Sequence, residues 1–233
     1  MVLSALLAPL LSVPSLAGLS VPSPMSVAAA AASQRTRAVE VCQQREVVTH
    51  FEAVQIPAPE SGPPRQQITV VDLTPTIRRT LAASGLRDGT VTLISRHTTT
   101  GITINEYECR LARDLQEWLL RLAPPDDRSA IGSADAGVRY AHNDIDARPD
   151  GDDERQRCLE NGWNVDDPHE LQRWRDQEPI NAHSHLAAML LGSSESIPVA
   201  GGQLVLGQWQ SALLVDVDGP RARTVGVHVM GFK

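Results

Sequence analysis

Three histidine-bearing segments hold most of the chemistry that this sequence offers. They are Arg96-His97-Thr98-Thr99-Thr100-Gly101, Tyr140-Ala141-His142-Asn143-Asp144 and Asn181-Ala182-His183-Ser184-His185. An imidazole titrates near neutrality, so it can act as a general acid or base or, when neutral, as a metal ligand. His97 ends a β-branched run and is followed by three hydroxyls and a glycine, a turn whose hydroxyl and N–H groups can hold an oxyanion. Asn105-Glu106 follows, and Glu106 supplies a carboxylate for a base or supporting role. In the second segment, Tyr140 and His142 share one face if the chain is extended, and Asp144 is available to orient the ring. In the third, His183 and His185 share a face only in an extended chain, because on a helix they diverge by about 200°. If the helix starts after Ser184, both serve one site; if it starts at Asn181, one imidazole faces the pocket and the other does not.

Two chemistries are open on these residues. His97, His142 and His185, with His183 less well placed, can supply imidazoles to a divalent metal and leave one position free. Imidazoles suit a zinc-like metal, whereas Mg²⁺ prefers oxygen ligands. Alternatively the site is metal-free, with histidines as acid and base and arginines gripping an anion. Arg221 and Arg223, just past Gly219-Pro220, are the candidate forks. Neither Gly-rich phosphate pattern, G-x-x-x-x-G-K-[ST] or G-x-G-x-x-G, occurs, nor does a G-x-S-x-G elbow.

Composition narrows the choice. The 233 residues carry a formal charge of −7, with no basic block of the kind nucleic acid demands. Of the 21 cationic residues, the only lysine is Lys233, so no internal lysine can form a Schiff base or bind phosphate as a point charge. Cys42, Cys109 and Cys158 lie far apart and are odd in number, against a disulfide framework or a structural zinc site.

The elements that must position these residues read as one α+β domain, a compact single-domain α/β sandwich with a β-rich C-terminal half. Strands are expected at residues 46–56, 68–72 and 90–96, the last delivering His97. Thr74-Pro75 reads as an N-cap followed by proline at the first helical position, opening a helix over 76–84 that Gly85 stops. Leu111, Leu115, Trp118, Leu119 and Leu122 give a helical period over 108–122, closed by Pro124-Pro125. Residues 126–180 read as a long excursion with two short helices, followed by a short apolar helix over 186–191. Strands at 196–199, 203–206, 208–217 and 224–230, with turns at Gly201-Gly202 and Gly219-Pro220, complete the domain.

Residues 1–39 contain no acid, many small and hydroxyl residues, and two arginines, Arg35 and Arg37. That is the composition of an organelle transit peptide, and the prolines at 9, 14, 22 and 24 break any membrane span. Removing the leader deletes two positive charges and moves the net charge from −7 to −9. The folded domain is then expected over residues 40–233, with 150–178 as an excursion.

Taken in order, His97-Thr98-Thr99-Thr100-Gly101-Ile102-Thr103-Ile104-Asn105-Glu106, Tyr140-Ala141-His142, Asn181-Ala182-His183-Ser184-His185-Leu186, Leu206-Gly207-Gln208-Trp209-Gln210 and Asp218-Gly219-Pro220-Arg221-Ala222-Arg223 resemble the YjbQ-like family. That family is also described as the secondary thiamine-phosphate synthase family, and the resemblance spans roughly residues 46–232. It implies a homotrimer with clustered histidines in a polar pocket at or near subunit contacts. Carried over by position, His97, Glu106, His142 and His185 are its catalytic candidates. Thr98, Thr99, Asn105, Asn181, Trp209, Gln210 and Arg221 would bind substrate. Many members carry an acid where this chain has His183, which makes His183 a weaker candidate than His185. The excursion exceeds that of short members and resembles a photosynthetic-lineage version; with the leader, it implies a plastid stroma address. A start at Met25 would instead leave a cytoplasmic protein.

The activity implied by the resemblance joins a pyrimidine diphosphate to a thiazole phosphate and releases pyrophosphate. Diphosphate departure is normally assisted by Mg²⁺ with Lys or Arg, whereas this chain offers imidazoles and no internal lysine. The synthase activity is therefore compatible with a secondary role beside a reaction on another phosphorylated small molecule. A metal-dependent hydrolase of small anionic substrates and a non-enzymatic trimeric binding protein are the alternatives. No membrane or nucleic-acid partner is expected.

Overall fold

β-Branched and alternating segments pair here into two antiparallel sheets that close over one core. The computed structural model describes residues 45–58, 67–126 and 140–233. The strands are β1 (Val47–Ile56), β2 (Gln67–Asp72), β3 (Asp88–Ser95), β4 (Thr100–Asn105), β5 (Ser194–Ala200), β6 (Gln203–Leu204), β7 (Ser211–Gly219) and β8 (Arg223–Phe232). One sheet runs β1-β8-β3-β5-β6 and the other β2-β7-β4. The helices are α1 (Thr74–Ser84), α2 (Cys109–Leu122), α3 (Asp152–Glu160), α4 (Pro168–Gln177) and α5 (Ala182–Leu191). This is the expected α+β class. The leader expected over 1–39 lies outside the described residues, and so does Cys42; among the described residues no helix is long and apolar enough to cross a membrane.

Period-2 alternation along β7 explains the layering. Ala212 and Leu214 point into the core between the sheets, with Val91, Leu93, Ile102, Val225 and Val227. Val215 and Val217 point the other way, against Leu119 of α2 and Ala187 and Ala188 of α5. Because both faces of β7 are covered, Ala212–Gly219 are buried throughout. The result is three layers: large sheet, small sheet, helices.

Several expected boundaries move for tertiary reasons. Thr74 is not a cap but the first residue of α1: its Oγ1 accepts from Ala212 N at 3.0 Å, tying the helix to β7. Its own N–H donates to Asp72 Oδ1 at 2.8 Å. Gly85 ends the helix in a left-handed conformation, as expected (φ 70°). β7 begins at Ser211 rather than at residue 208, because Gln210 N donates to Gly207 O at 3.0 Å and closes a turn there. The excursion does hold two short helices, α3 and α4.

The hydroxyl-rich stretch after His97 is only briefly a turn. Thr100–Asn105 forms β4, and Gly101 lies inside it because α5 crosses at close range: a Cβ there would sit 2.4 Å from Leu191 Cβ. Gly101→Ala is therefore expected to lift α5 from the sheet and cost about 1–3 kcal/mol of stability. Thermal unfolding of the purified variant checks this, and an unchanged Tm would show that α5 has room to yield.

Candidate functional site

His142 and His185 come together as the candidate site. Their ring centroids are 4.9 Å apart and their planes meet at 72°. They come from segments 43 positions apart, and Asn143 joins them. The fully buried Asn143 lies in the short 3₁₀ turn Ala141–Asn143. Its Oδ1 accepts from Ala182 N at 3.0 Å, capping α5 from outside the helix. Its Nδ2 donates to Asp126 Oδ2 at 2.9 Å, and Tyr140 Oη donates to Pro124 O at 2.9 Å, so the turn is also fixed to the segment after α2. Asn143 was not singled out in the sequence, because its partners are distant. Asp144 had been the expected orienting carboxylate; the charges that act on His142 are instead those of Arg148, Glu178 and Glu154.

The helix begins at Ala182, which separates the two histidines of the third segment. His185 faces His142. His183 is buried on the other side, with Nε2 3.3 Å from Ser184 Oγ. Ser184 Oγ donates its proton to Val217 O at 2.6 Å, so His183 Nε2 must carry the hydrogen towards it. His183 Nδ1 then has no hydrogen-bond partner among the described residues.

The chemistry of the pair follows from its surroundings. Burial, followed by the Arg148 charge, pushes the His142 pKa down, while Asn181, Glu178 and Glu154 oppose the shift. Burial and then the His142 ring lower His185, against Asp218 and a hydrogen bond to the Thr98 backbone. Both rings are thus neutral at pH 7. A neutral ring has one N–H and one lone pair. The Thr98 backbone favours the charged form of His185, which sets an N–H of that ring on the Thr98 side. For His142 the partner is Asn181. Asp218 Oδ2 only accepts, and Asn181 Nδ2 donates to it at 2.9 Å, so Asn181 Oδ1 is the atom left for the His142 ring. That Oδ1 is buried and makes no well-formed hydrogen bond among the described residues, so the contact is loose in this geometry.

His97 plays another part. Its Nε2 accepts from Thr224 N at 2.8 Å, which fixes the tautomer with hydrogen on Nδ1. Burial and then Arg223 lower its pKa, with Asp216 opposing. His97 can therefore donate a hydrogen bond, but its lone pair is already engaged. The expected His97, His142, His185 metal triad is not assembled: among the described residues no group of three or more His, Cys, Asp or Glu could hold a metal ion. The hydroxyls expected to cradle an oxyanion are also largely engaged. Ser95 and Thr100 hydroxyls bond each other and reach His97 O, and Thr99 is buried, leaving Thr98 exposed.

The remaining expected residues divide into two groups. Arg221 reaches Asp218, whose charge acts on His185: it lies 3.3 Å from Asp218 Oδ2 and is partly exposed. Asn105, Glu106, Trp209 and Gln210 lie at the opposite end of β7, where Asn105 pairs with Ser211. Gln210 Oε1 there accepts from Gly207 N at 2.7 Å, and Trp209 is 69% exposed. From Ser211 to Gly219 a strand spans roughly 27 Å at ~3.4 Å per residue, so these four do not reach the imidazoles within one chain. Glu106 instead borders an apolar groove of about 400 Å³ between α2 and the small sheet, with Leu111, Leu115 and Trp118.

A pH dependence follows from the depressed imidazoles. In NMR titrations the His142 and His185 ring protons should show midpoints below 6.5, the ordinary value. The folded protein binds fewer protons than the unfolded chain between those midpoints and 6.5, so stability falls as pH drops through that window and is retained above it. Midpoints at or above 6.5 would show that the rings are not held neutral.

Comparison with known proteins agrees with this architecture. The family model described as "UPF0047 protein YjbQ-like" matches residues 63–232. A UPF0047 protein of Methanothermobacter thermautotrophicus is 32% identical over 166 residues, covering 71% of this chain and 85% of its own. One from Archaeoglobus fulgidus is 30% identical over 165 residues, covering 71% and 94%. Among solved structures, a YbjQ-like protein of unknown function from Sulfolobus solfataricus P2 shares the fold with a TM-score of 0.56 at 24% identity, over 80% of this chain and 99% of that one. A hypothetical protein from Aeropyrum pernix K1 gives 0.54 at 26% identity, over 79% and 99%. With its two sheets, its histidine turn and a family match over most of its length, the chain belongs to the YjbQ-like UPF0047 family.

Proposed function

We propose that this chain is a transferase of the thiamine-phosphate-synthase type, in which His142 and His185 move protons and Arg221 binds an anionic group of a small phosphorylated substrate. The observation that supports this reading is the imidazole pair itself: two rings 4.9 Å apart, both held neutral by lowered pKa, beside Asn181 and the Thr98 backbone. Such rings can take a proton from solvent and hand it to a leaving oxygen. In the transfer, the thiazole nitrogen forms a bond to the pyrimidine methylene as the C–O bond to diphosphate breaks. Pyrophosphate leaves with the electron pair; the thiazole nitrogen has no proton to give, so the proton its oxygen gains is drawn from solvent and relayed through the imidazole pair, which ends neutral as it began. His97 Nδ1–H is a further hydrogen-bond donor.

The assembly belongs to the same proposal. A homotrimer would place Asn105, Glu106, Trp209 and Gln210 of one copy against the imidazoles of the next, which no single chain does. Exposed Trp118, Leu111 and Leu122 on α2 give such contacts an apolar surface. Light scattering should report three copies, and a monomer at working concentration would overturn this part.

The test of function is direct. Purified protein given the pyrimidine diphosphate and thiazole phosphate should release pyrophosphate and form thiamine phosphate. His97→Ala combined with His185→Ala should abolish both; undiminished turnover in that variant would overturn the assignment. A metal-dependent hydrolase is the second reading, favoured by two adjacent neutral imidazoles, the form in which histidine ligates a metal. Among the described residues one chain supplies two such rings and no third donor, so no step is routed through a metal here. Stoichiometric metal in elemental analysis, with activity lost on chelation, would select that reading.

A further inference from the structure

The reading above leaves unused a cavity of about 530 Å³ that lies between the excursion and His142. Its size suits a small organic molecule. The excursion forming it is a folded body: Cys158, Val165 and Trp174 are buried together, with Trp163 and Leu171 packed against them. One wall is rigid. The Arg148 guanidinium meets Glu154 Oε1 through Nε at 2.8 Å and Nη2 at 2.5 Å, meets Glu178 Oε2 at 3.3 Å, and lies 5.3 Å from the Trp174 ring centre. Two carboxylates around one guanidinium leave that wall with an excess negative charge. Arg157, also lining the cavity, has no acidic partner among the described residues. The cavity is therefore cationic at Arg157 and anionic at Glu154 and Glu178. The half-buried Trp163 indole lies on the same lining, and so does His142. Cys158 is no nucleophile here, since burial pushes its thiol pKa up and keeps it protonated.

We propose that this cavity binds the planar, N–H-bearing aromatic or heteroaromatic ring of an anionic small molecule, with Trp163 against the ring, Arg157 on the anionic group and the glutamates facing the ring's N–H donors. This deepens the transferase reading and rests on it in one respect: His142 lines both spaces, so a molecule held here presents its edge to the imidazole pair. An indole face favours flat rings over aliphatic groups of equal area. A guanidinium fork favours oxyanions, either phosphate or carboxylate. A site with both ends charged rejects ligands carrying only one of the two features.

Calorimetry on the full chain at pH 7.5 tests this with four probes: 4-aminophenyl phosphate, 4-aminobenzoate, 4-aminophenol and inorganic phosphate. 4-Aminophenyl phosphate or 4-aminobenzoate, whichever anion the site prefers, should bind at least about tenfold tighter than 4-aminophenol and inorganic phosphate. Trp163→Leu, which keeps apolar volume in the small core, should remove that ring-dependent gain while inorganic phosphate binds as before; Trp163→Phe should restore it. Arg157→Gln, at an exposed position, should weaken the anionic probes about tenfold and leave 4-aminophenol unchanged. Equal affinity for the ring-bearing anions and inorganic phosphate, or a ring-dependent gain that survives Trp163→Leu, would overturn the proposal. Ring binding that persists in a protein making no thiamine phosphate would overturn only the transferase reading.

Discussion

His185→Ala is expected to lower kcat/KM for transfer by about 10²–10⁴-fold, the usual range for removing a positioned acid or base. Stability should change far less, because the ring is half-buried at the edge of the helix layer rather than within it. His142→Ala should have a comparable effect, and the double variant should be little worse than either single one, since two groups that hand on one proton act as a unit. Asn181→Ala offers a finer test. It deletes the amide that Asp218 fixes and that offers Oδ1 to His142, leaving both imidazoles in place. The His142 midpoint should fall, because Asn181 is one of the groups favouring its charged form, and the acid limb of the pH profile should move with it. Steady-state kinetics across pH 5–8, with circular dichroism to confirm folding, separates these outcomes. Additive losses in the double variant would mean that the imidazoles work independently.

How far the site could be read from sequence depends on the distance over which each cause acts. Local causes were legible. The 3.6-residue period of Leu111, Leu115 and Leu119 marked α2, and β-branched alternation marked β1, β3 and β8 close to their observed bounds. The divergence of His183 and His185 on a helix was also foreseeable, as a condition on where that helix begins. What decided the condition was Asn143, which caps α5 from 39 positions upstream. Nothing near Ala182 announces that cap. The same holds for Gly101, whose reason is α5 packed against β4, and for Thr74, whose hydroxyl serves β7 instead of its own helix. The metal triad failed in one chain for a comparable cause: a strand end delivers His97 as expected, but the neighbouring Thr224 N–H takes its lone pair. Asn105 and Glu106 share a motif with His97, and Trp209 and Gln210 stand in a motif of their own, yet all four sit at the other end of the sheet from the imidazole pair, because a strand lies between.

Breaking the buried Asp216–Arg223 pair should cause the largest loss of stability of any single substitution considered. Asp216 and Arg223 are 4% and 5% exposed at their side chains, and the guanidinium binds the carboxylate through Nε at 2.9 Å and Nη2 at 2.5 Å. Nη2 also reaches Asp218 O at 3.2 Å, and Asp218 N donates to Asp216 Oδ1 at 3.1 Å. Both carboxylate oxygens and the Nε and Nη2 donors of the pair are thereby answered, which lets two charges sit at the end of an apolar core. Arg223→Ala strands a buried carboxylate and leaves Asp218 O without its donor, at an expected cost of about 3–5 kcal/mol. For a domain of this size that is a fall in Tm of roughly 6–20 °C. Asp216→Leu with Arg223→Met removes both charges at once and should recover most of the loss, since apolar pairs of similar volume replace buried ion pairs with little cost. The imidazole near the pair gives a second readout. Arg223 depresses the His97 pKa and Asp216 raises it, so in a folded Arg223→Ala protein the His97 midpoint should move up. A double-mutant cycle on Tm, read alongside that midpoint, tests both claims. If Arg223→Ala melts as the parent does, the pair is not what closes this end of the sandwich.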